Sequence, residues 1–385
     1  MNRVPVEICI LIVSKLPMRD LLTMGAIDRC TRRIVMPLVH GCRLLQLVTL
    51  RGQNSAVTFL METTQVDFRV RDTHGMTTLH YAALKGYVQV VRLLTSDPRH
   101  KPLLNAPENR QNDTPLILAA RYQNEAVLQI LMDNGADVNA RNIHGENVLF
   151  WAAKRHRTKL TQKLLKRGAD PNQFVRHGLT PLIQAIMEGY LDLATILLEG
   201  GCNVEQPDSR GHRPLVWAVV LDEPAMASLL FSHHAKVNPS ARKGGERSPL
   251  VWAVMKGNVE MVQLLLRHGA SVGQTQPDSL APLMWAVLHR DTSVAELLLQ
   301  NGALPDEPGI HGEPALVWAM FNNDREMMRL LLRYNACLED IKRERRFALP
   351  LSTGCEGRFI THPPHKGAGS SDGILSQSAK VRRKV

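Results

Sequence analysis

The chain has 385 residues, 44% of them hydrophobic and 22% charged, with 47 basic and 36 acidic side chains and a formal charge of +11. This apolar content rules out disorder throughout, and the length suits two or three domains or one long repeat array. Six cysteines (Cys9, Cys30, Cys42, Cys202, Cys337, Cys355) include no CxxC pair, which argues against a disulfide scaffold and a zinc module and fits a reducing compartment. The apolar run Ile8–Val13 is only six residues long, comes after Glu7 and precedes no small-residue cleavage site. It is read as neither a signal peptide nor a membrane span, and no apolar run of spanning length occurs elsewhere.

Residues 1–42 predict a small helical module. Pro5 and Glu7 mark a helix start, and Ile8, Leu11, Ile12 and Leu16 make an amphipathic stripe. A second helix is expected near Met18–Asp20, carrying Leu21, Leu22 and Met24. About forty residues bury too little surface to stand alone, so the stripe needs a partner. The series Val4-Pro5-Val6-Glu7-Ile8, Leu16-Pro17, Asp20-Leu21-Leu22, Arg29, Arg32-Arg33 and Pro37-Leu38 resembles an F-box. Val4 replaces the usual first leucine, and the tryptophan often found between the basic residues of the third helix is absent, with Thr31 near its place. The resemblance implies docking on the Skp-type adaptor of a cullin–RING ubiquitin ligase, with Pro5, Ile8, Leu16, Pro17 and Leu21 as contacts. The competing reading is that these helices only cap a degenerate repeat that begins at Arg43.

From residue 43 the chain repeats. TTLHYAALKG from Thr77 recurs as TPLILAARYQ from Thr114, NVLFWAAKRH from Asn147 and TPLIQAIMEG from Thr180. RPLVWAVVLD from Arg213, SPLVWAVMKG from Ser248, APLMWAVLHR from Ala281 and PALVWAMFNN from Pro314 continue the series. The spacings are 37, 33, 33, 33, 35, 33 and 33 residues, and a weaker copy starts at Arg43. Thr or Ser at unit position one suits a helix N-cap, and Pro at position two suits the first turn. Paired small residues such as Ala82–Ala83 let helices approach closely. A second amphipathic helix ends at Gly135, Gly168, Gly269 or Gly302, placed for a left-handed cap. Several units replace the glycine at position ten with Gln123, His156, Asp222, Arg290 or Asn323.

These eight clear units and one degenerate unit resemble ankyrin repeats over residues 43–340. The resemblance implies an all-α ankyrin-repeat solenoid of about nine repeats that binds proteins rather than catalysing a reaction. Together with the N-terminal motif, it resembles a fungal-type F-box/ankyrin adaptor.

All five tryptophans fall at unit position five: Trp151, Trp217, Trp252, Trp285 and Trp318. Tyr81, Leu118 and Gln184 fill the same position elsewhere. On a helical wheel this position lies about 150° from the core stripe of positions three, six, seven and ten. In ankyrin-like stacks it faces the concave side. Tyr81 and the five indoles are therefore candidate partner-binding residues of the groove, since Trp is enriched at binding hot spots. The alternative is that each indole packs on its neighbour and seals the face.

Residues 341–385 read as a basic, mostly disordered tail, with clusters at Lys342–Arg346 and Lys380–Lys384 placed as candidate nuclear import signals. The tail holds most of the excess charge, whereas residues 77–340 carry equal numbers of acids and bases. The array is thus a poor candidate for a nucleic-acid rod. One basic run, Lys154 to Arg167, has no acid within it and offers a weak patch for an acidic partner.

No phosphate-cradling glycine loop, HExxH or GxSxG occurs, and His233–His234 and His362/His365 lack a third ligand in phase. No catalytic residue, cofactor or metal is expected. The expectation is a non-enzymatic adaptor, cytoplasmic and/or nuclear, acting as one copy within a larger complex. It would join a Skp-type adaptor to a protein substrate held in the ankyrin groove, with no membrane partner. The second expectation is an ankyrin scaffold or nuclear regulator without a ligase link, and the third an enzyme with a hidden site.

Overall fold

The computed structural model describes Thr49 and residues 71–337, except 109, 239–246, 274–279 and 310–312. The F-box-like module expected at 1–42, the tail at 341–385, and all of the degenerate first repeat but Thr49 and residues 71–76 lie outside the described residues. Among the described residues there are sixteen α-helices and no strand.

The helices come in pairs: α1 (Thr78–Lys85) and α2 (Val88–Ser96), α3 (Pro115–Arg121) and α4 (Glu125–Asp133), α5 (Val148–Lys154) and α6 (Thr158–Lys166). Next in the chain are α7 (Pro181–Met187) and α8 (Leu191–Glu199), α9 (Pro214–Leu221) and α10 (Pro224–Ser232), and α11 (Pro249–Lys256) and α12 (Val259–Arg267). The last pairs are α13 (Pro282–Leu288) with α14 (Thr292–Gln300) and α15 (Ala315–Phe321) with α16 (Arg325–Arg333). A 3₁₀ segment, Pro98–Leu103, takes up the longer first spacing and buries Leu103 and Leu104.

The starts of the first helices obey the repeat. Thr114, Asn147 and Ser248 each accept at the N-cap, from the N–H of Ile117 (3.3 Å), Phe150 (2.8 Å) and Val251 (3.3 Å). Pro115, Pro214, Pro249 and Pro282 occupy the first turn, where no helical N–H is needed. Second helices are capped by Asn258, Asp291 and Asp324, which accept from Met261, Val294 and Met327 at 2.8–3.0 Å.

Between the two helices of a unit the chain turns through the left-handed region. Gly86, Gly189 and Gly257 adopt it at position ten, and so do Gln123, His156, Asp222, Arg290 and Asn323 where glycine is missing. The turn is thus kept without the residue that makes it cheap. A Cβ in this region costs roughly 1–2 kcal/mol.

The chain divides into two compact units, Met1–Pro181 and Leu182–Val385. In the first, α1, α3 and α5 pack in series in one layer and α2 packs on α4 in the other. In the second, α9, α11, α13 and α15 form one layer and α8, α10, α12, α14 and α16 the other. The small residues at positions six and seven lie between neighbouring first helices: Ala82, Ala83, Ala119, Ala153, Ala218 and Ala286 are sealed from solvent. The second helices bury one stripe each, as Leu193, Ala194 and Leu197 do in α8.

Candidate partner-binding surface

The first helices and the turns that precede them carry the residues singled out by the repeat. In the first unit, Tyr81 is half-buried and its hydroxyl donates to Asp72. Burial pushes the Tyr81 phenol up, and the bond to Asp72 adds to the shift. Burial opposes ionisation of Asp72 as well. The bonds from Tyr81 and from the N–H groups of Met76 and His74 outweigh it and hold the carboxyl below its usual range.

Trp151 is 8% exposed, and two cations cover its ring: the Arg121 guanidinium and the Lys154 ammonium, each 4.9 Å from the ring centre. Arg121 is fixed in turn by Asp113 at 2.7 Å and Glu146 at 3.2 Å. Burial raises Asp113, against the opposing pull of Asn142 and Arg121. Neither cation stood out in the sequence as part of this face. The signal was present for one of them, because Lys154 lies three positions after Trp151, one helical turn.

In the second unit, Trp217 is 1%, Trp252 3% and Trp285 7% exposed, whereas Trp318 is half-buried. Trp217 donates to Asp208 at 3.2 Å, with His212 edge-on to the ring at 6.3 Å. Burial raises Asp208, but bonds from His212 and from the N–H of Arg210 win and hold it low. The Arg247 guanidinium lies 5.4 Å from both the Trp252 and Trp285 rings and so links two successive repeats. His289 stacks on Trp285, and Phe321, exposed, meets Trp318 edge-on. All six aromatic residues at this position lie on first helices. The rings themselves lie mostly beneath polar and cationic side chains. Two repeats have no aromatic residue at this position: Leu118 is buried, and Gln184 is a buried glutamine that bonds Glu188.

The basic run on α6 does not stand unopposed. Arg157 pairs with Glu125 at 3.0 Å and Arg167 with Asp133 at 2.5 Å, while Lys163 reaches Gln129 at 3.2 Å. These partners belong to the repeat before, and the sequence read along one helix hides them. A shallow cleft of about 450 Å³ between α4 and α6 is lined by Gln129, Met132, Arg157 and Leu160 among others.

Among the described residues no group of His, Cys, Asp and Glu is arranged to hold a metal ion, and no helix is long and apolar enough to cross a membrane. The adaptor contacts expected at Pro5, Ile8, Leu16, Pro17 and Leu21 lie outside the described residues.

Stacked helix pairs joined by left-handed turns, with helices in two layers, define a helical-repeat interaction protein. The family described as ankyrin repeats (3 copies) matches residues 44–142, 99–175, 149–241 and 237–308. The chain belongs to the ankyrin-repeat family, whose repeats bind other proteins and are typically non-enzymatic scaffolds. Among solved structures, the ankyrin repeat domain of Bcl-3, described as a unique member of the IkappaB protein family, is similar at 22% identity and a TM-score of 0.50. The match covers 67% of this chain and 99% of that one. An ankyrin repeat domain from Acinetobacter baumannii AYE matches at 24% identity and a TM-score of 0.46, over 50% of this chain and 98% of the other.

Proposed function

We propose that the protein is a non-enzymatic adaptor and the substrate-recognition subunit of a Skp/cullin/F-box-type ubiquitin ligase. Residues 1–42 form the docking module, residues 43–340 the substrate-binding array and residues 341–385 a basic targeting tail. The observation that carries the ligase link is the N-terminal series, in which Pro5 and Ile8, Leu16-Pro17 and Leu21 keep the F-box spacing directly ahead of an array that binds proteins. Through those five residues the module contacts a Skp-type adaptor. The first-helix face receives the protein substrate. Tyr81 and Trp151 in one unit, and Trp217, Trp252, Trp285 and Trp318 in the other, make the stiff floor of that face within each unit, and the cations beside Trp151, Trp252 and Trp285 set what touches the partner. One copy acts within the larger complex, in the cytoplasm and/or nucleus, with the basic clusters as import signals.

Co-purification tests the ligase link. Wild type is expected to carry a Skp-type adaptor, and Leu16→Asp to lose it while far-ultraviolet circular dichroism stays helical. Wild type without the adaptor overturns the ligase link and leaves an ankyrin scaffold whose N-terminal helices are a repeat cap.

A further inference from the structure

Four consecutive turns of the first unit, residues 71–76, 107–113, 141–147 and 174–179, separate their charges by direction. The carboxylates turn inward. Asp72 accepts from the N–H groups of His74 and Met76 at 2.8 Å each. Glu108, 5% exposed, accepts from the N–H groups of Arg110 and Gln111. Asp113 and Glu146 are held by Arg121 and Asn142. Among the described residues of these turns no carboxylate is exposed.

The cations turn outward. Arg71, Arg110, Arg141 and Arg176 are exposed, one to each turn, and His74 and His177 are exposed beside them. Within this unit none of the four arginines is in an ion pair among the described residues. The row is also continuous and ordered. Ile143 donates its N–H to Gln111 at 2.8 Å, and Arg176 donates its N–H to His144 at 2.9 Å, joining adjacent turns. Arg71 reaches across to the Pro107 carbonyl at 2.8 Å, and Arg141 to the Phe174 carbonyl at 2.6 Å. Two apolar side chains break the row: Ile143 at 53% exposure and Phe174 at 50%, the latter 5.3 Å from the Arg141 guanidinium.

We infer that this row binds an extended acidic segment of a partner protein, with apolar side chains between its carboxylates. Unpaired like charges held in a line cost repulsion that an anionic partner relieves, and such a surface also speeds encounter. Successive repeats lie roughly 10 Å apart, as packed helices do, and an extended chain of the polyproline II type rises about 3.1 Å per residue with three residues per turn, so every third side chain faces the same way. The fitting segment therefore places a carboxylate at about every third residue over roughly ten residues, with Ile143 and Phe174 meeting the apolar residues between. Nucleic acid fits less well, because successive bases stack on successive aromatic rings and this row offers one such ring, Phe174, with the aliphatic Ile143 in the neighbouring turn. The inference rests on the reading of the array as a protein-binding surface and is independent of the adaptor docking at residues 1–42.

Fluorescence anisotropy on the full chain tests it. The probe is a labelled ten-residue peptide with Glu at every third position and Leu between. A composition-matched peptide with its Glu residues in one block and a labelled ten-nucleotide single-stranded DNA serve as comparisons. Saturable binding of the spaced peptide is expected, weakening with salt and falling about tenfold or more in R110E/R176E. K159E/K166E, on α6, is expected to bind as wild type does. The blocked peptide and the DNA are expected to bind at least several-fold more weakly. No binding, equal binding by R110E/R176E, or equal affinity for the blocked peptide or the DNA overturns the inference. Circular dichroism shows that the variants are folded. Co-purification of the Skp-type adaptor by R110E/R176E reads the ligase proposal separately, since that contact does not use these arginines.

Discussion

Trp217 donates its indole N–H to Asp208, nine residues earlier, at 3.2 Å. Tyr81 does the same with Asp72, also nine residues earlier in its own repeat. Position five of the first helix is thus tied to the carboxylate that organises the preceding turn, which it shares with backbone N–H groups. In these two repeats the aromatic residue fastens turn to helix as well as filling space.

That link makes Trp217→Phe costly although it keeps an aromatic ring. The variant loses a bond to a charged acceptor and leaves a gap at a site 1% exposed. The expected loss is about 2–3 kcal/mol. Urea unfolding monitored by circular dichroism measures it. A loss below about 0.5 kcal/mol shows that the bond and the fit contribute little.

His80 makes stability depend on pH. Its Nδ1 accepts from the N–H of Thr77 at 3.1 Å, and the ring is sealed from solvent. Burial pushes the imidazole down from 6.5 to about 4. The folded pKa lies below the unfolded one, so the unfolded chain takes up the proton first as pH falls. The stabilisation is whole above pH 6.5 and is lost progressively down to about pH 4, a total of about 3 kcal/mol. Unfolding curves at pH 7 and pH 4.5 are expected to differ more for wild type than for His80→Gln. Equal differences would remove His80 as a source of the slope.

The existence and phase of these elements were legible because the repeat states them eight times. Thr114, Ser248 and Pro249 name the helix starts, and Gly135 and Gly302 name the ends. At position ten, His156 and Arg290 keep the left-handed turn that glycine marks elsewhere, so alignment read the backbone where residue type did not. For the tryptophans the sequence left two settings open, facing a partner or packed on a neighbour, and did not decide between them. A wheel drawn for one helix treats its far side as solvent, yet α9 is buried at every position from Pro214 to Leu221 because neighbours cover it all round. The basic row at the turns was hidden for a different reason. Residues 77–340 sum to no net charge, and only the direction of each side chain separates Glu108 and Asp113, turned in, from Arg110 and Arg176, turned out.

The left-handed cap positions offer a stabilising change. His234 comes after α10 with φ 64°, where Gly135, Gly168, Gly269 and Gly302 stand after other second helices. Its side chain is exposed. His234→Gly removes a strain of roughly 1–2 kcal/mol and gives back part of it as unfolded-chain entropy. A net gain of up to about 1 kcal/mol in urea unfolding is expected, and a loss would mean that the imidazole contributes more than its backbone costs.

Gly145 and Gly135 both have positive φ, 76° and 86°, yet they are not equivalent. A Cβ on Gly135 meets nothing within 4 Å. On Gly145 it would lie 2.8 Å from the Phe174 carbonyl oxygen and 3.2 Å from the Val175 Cα, both backbone of the next turn. Flexible side chains yield to such contacts at small cost, but two joined turns must move apart. Gly135→Ala is expected to cost about 1 kcal/mol and Gly145→Ala about 3 kcal/mol. Hydrogen exchange adds a local reading. The N–H of Arg176, which bonds His144 across the same junction at 2.9 Å, should lose protection in Gly145→Ala and keep it in Gly135→Ala. Equal costs and unchanged exchange at Arg176 would show that the turns have room that the 2.8 Å approach denies.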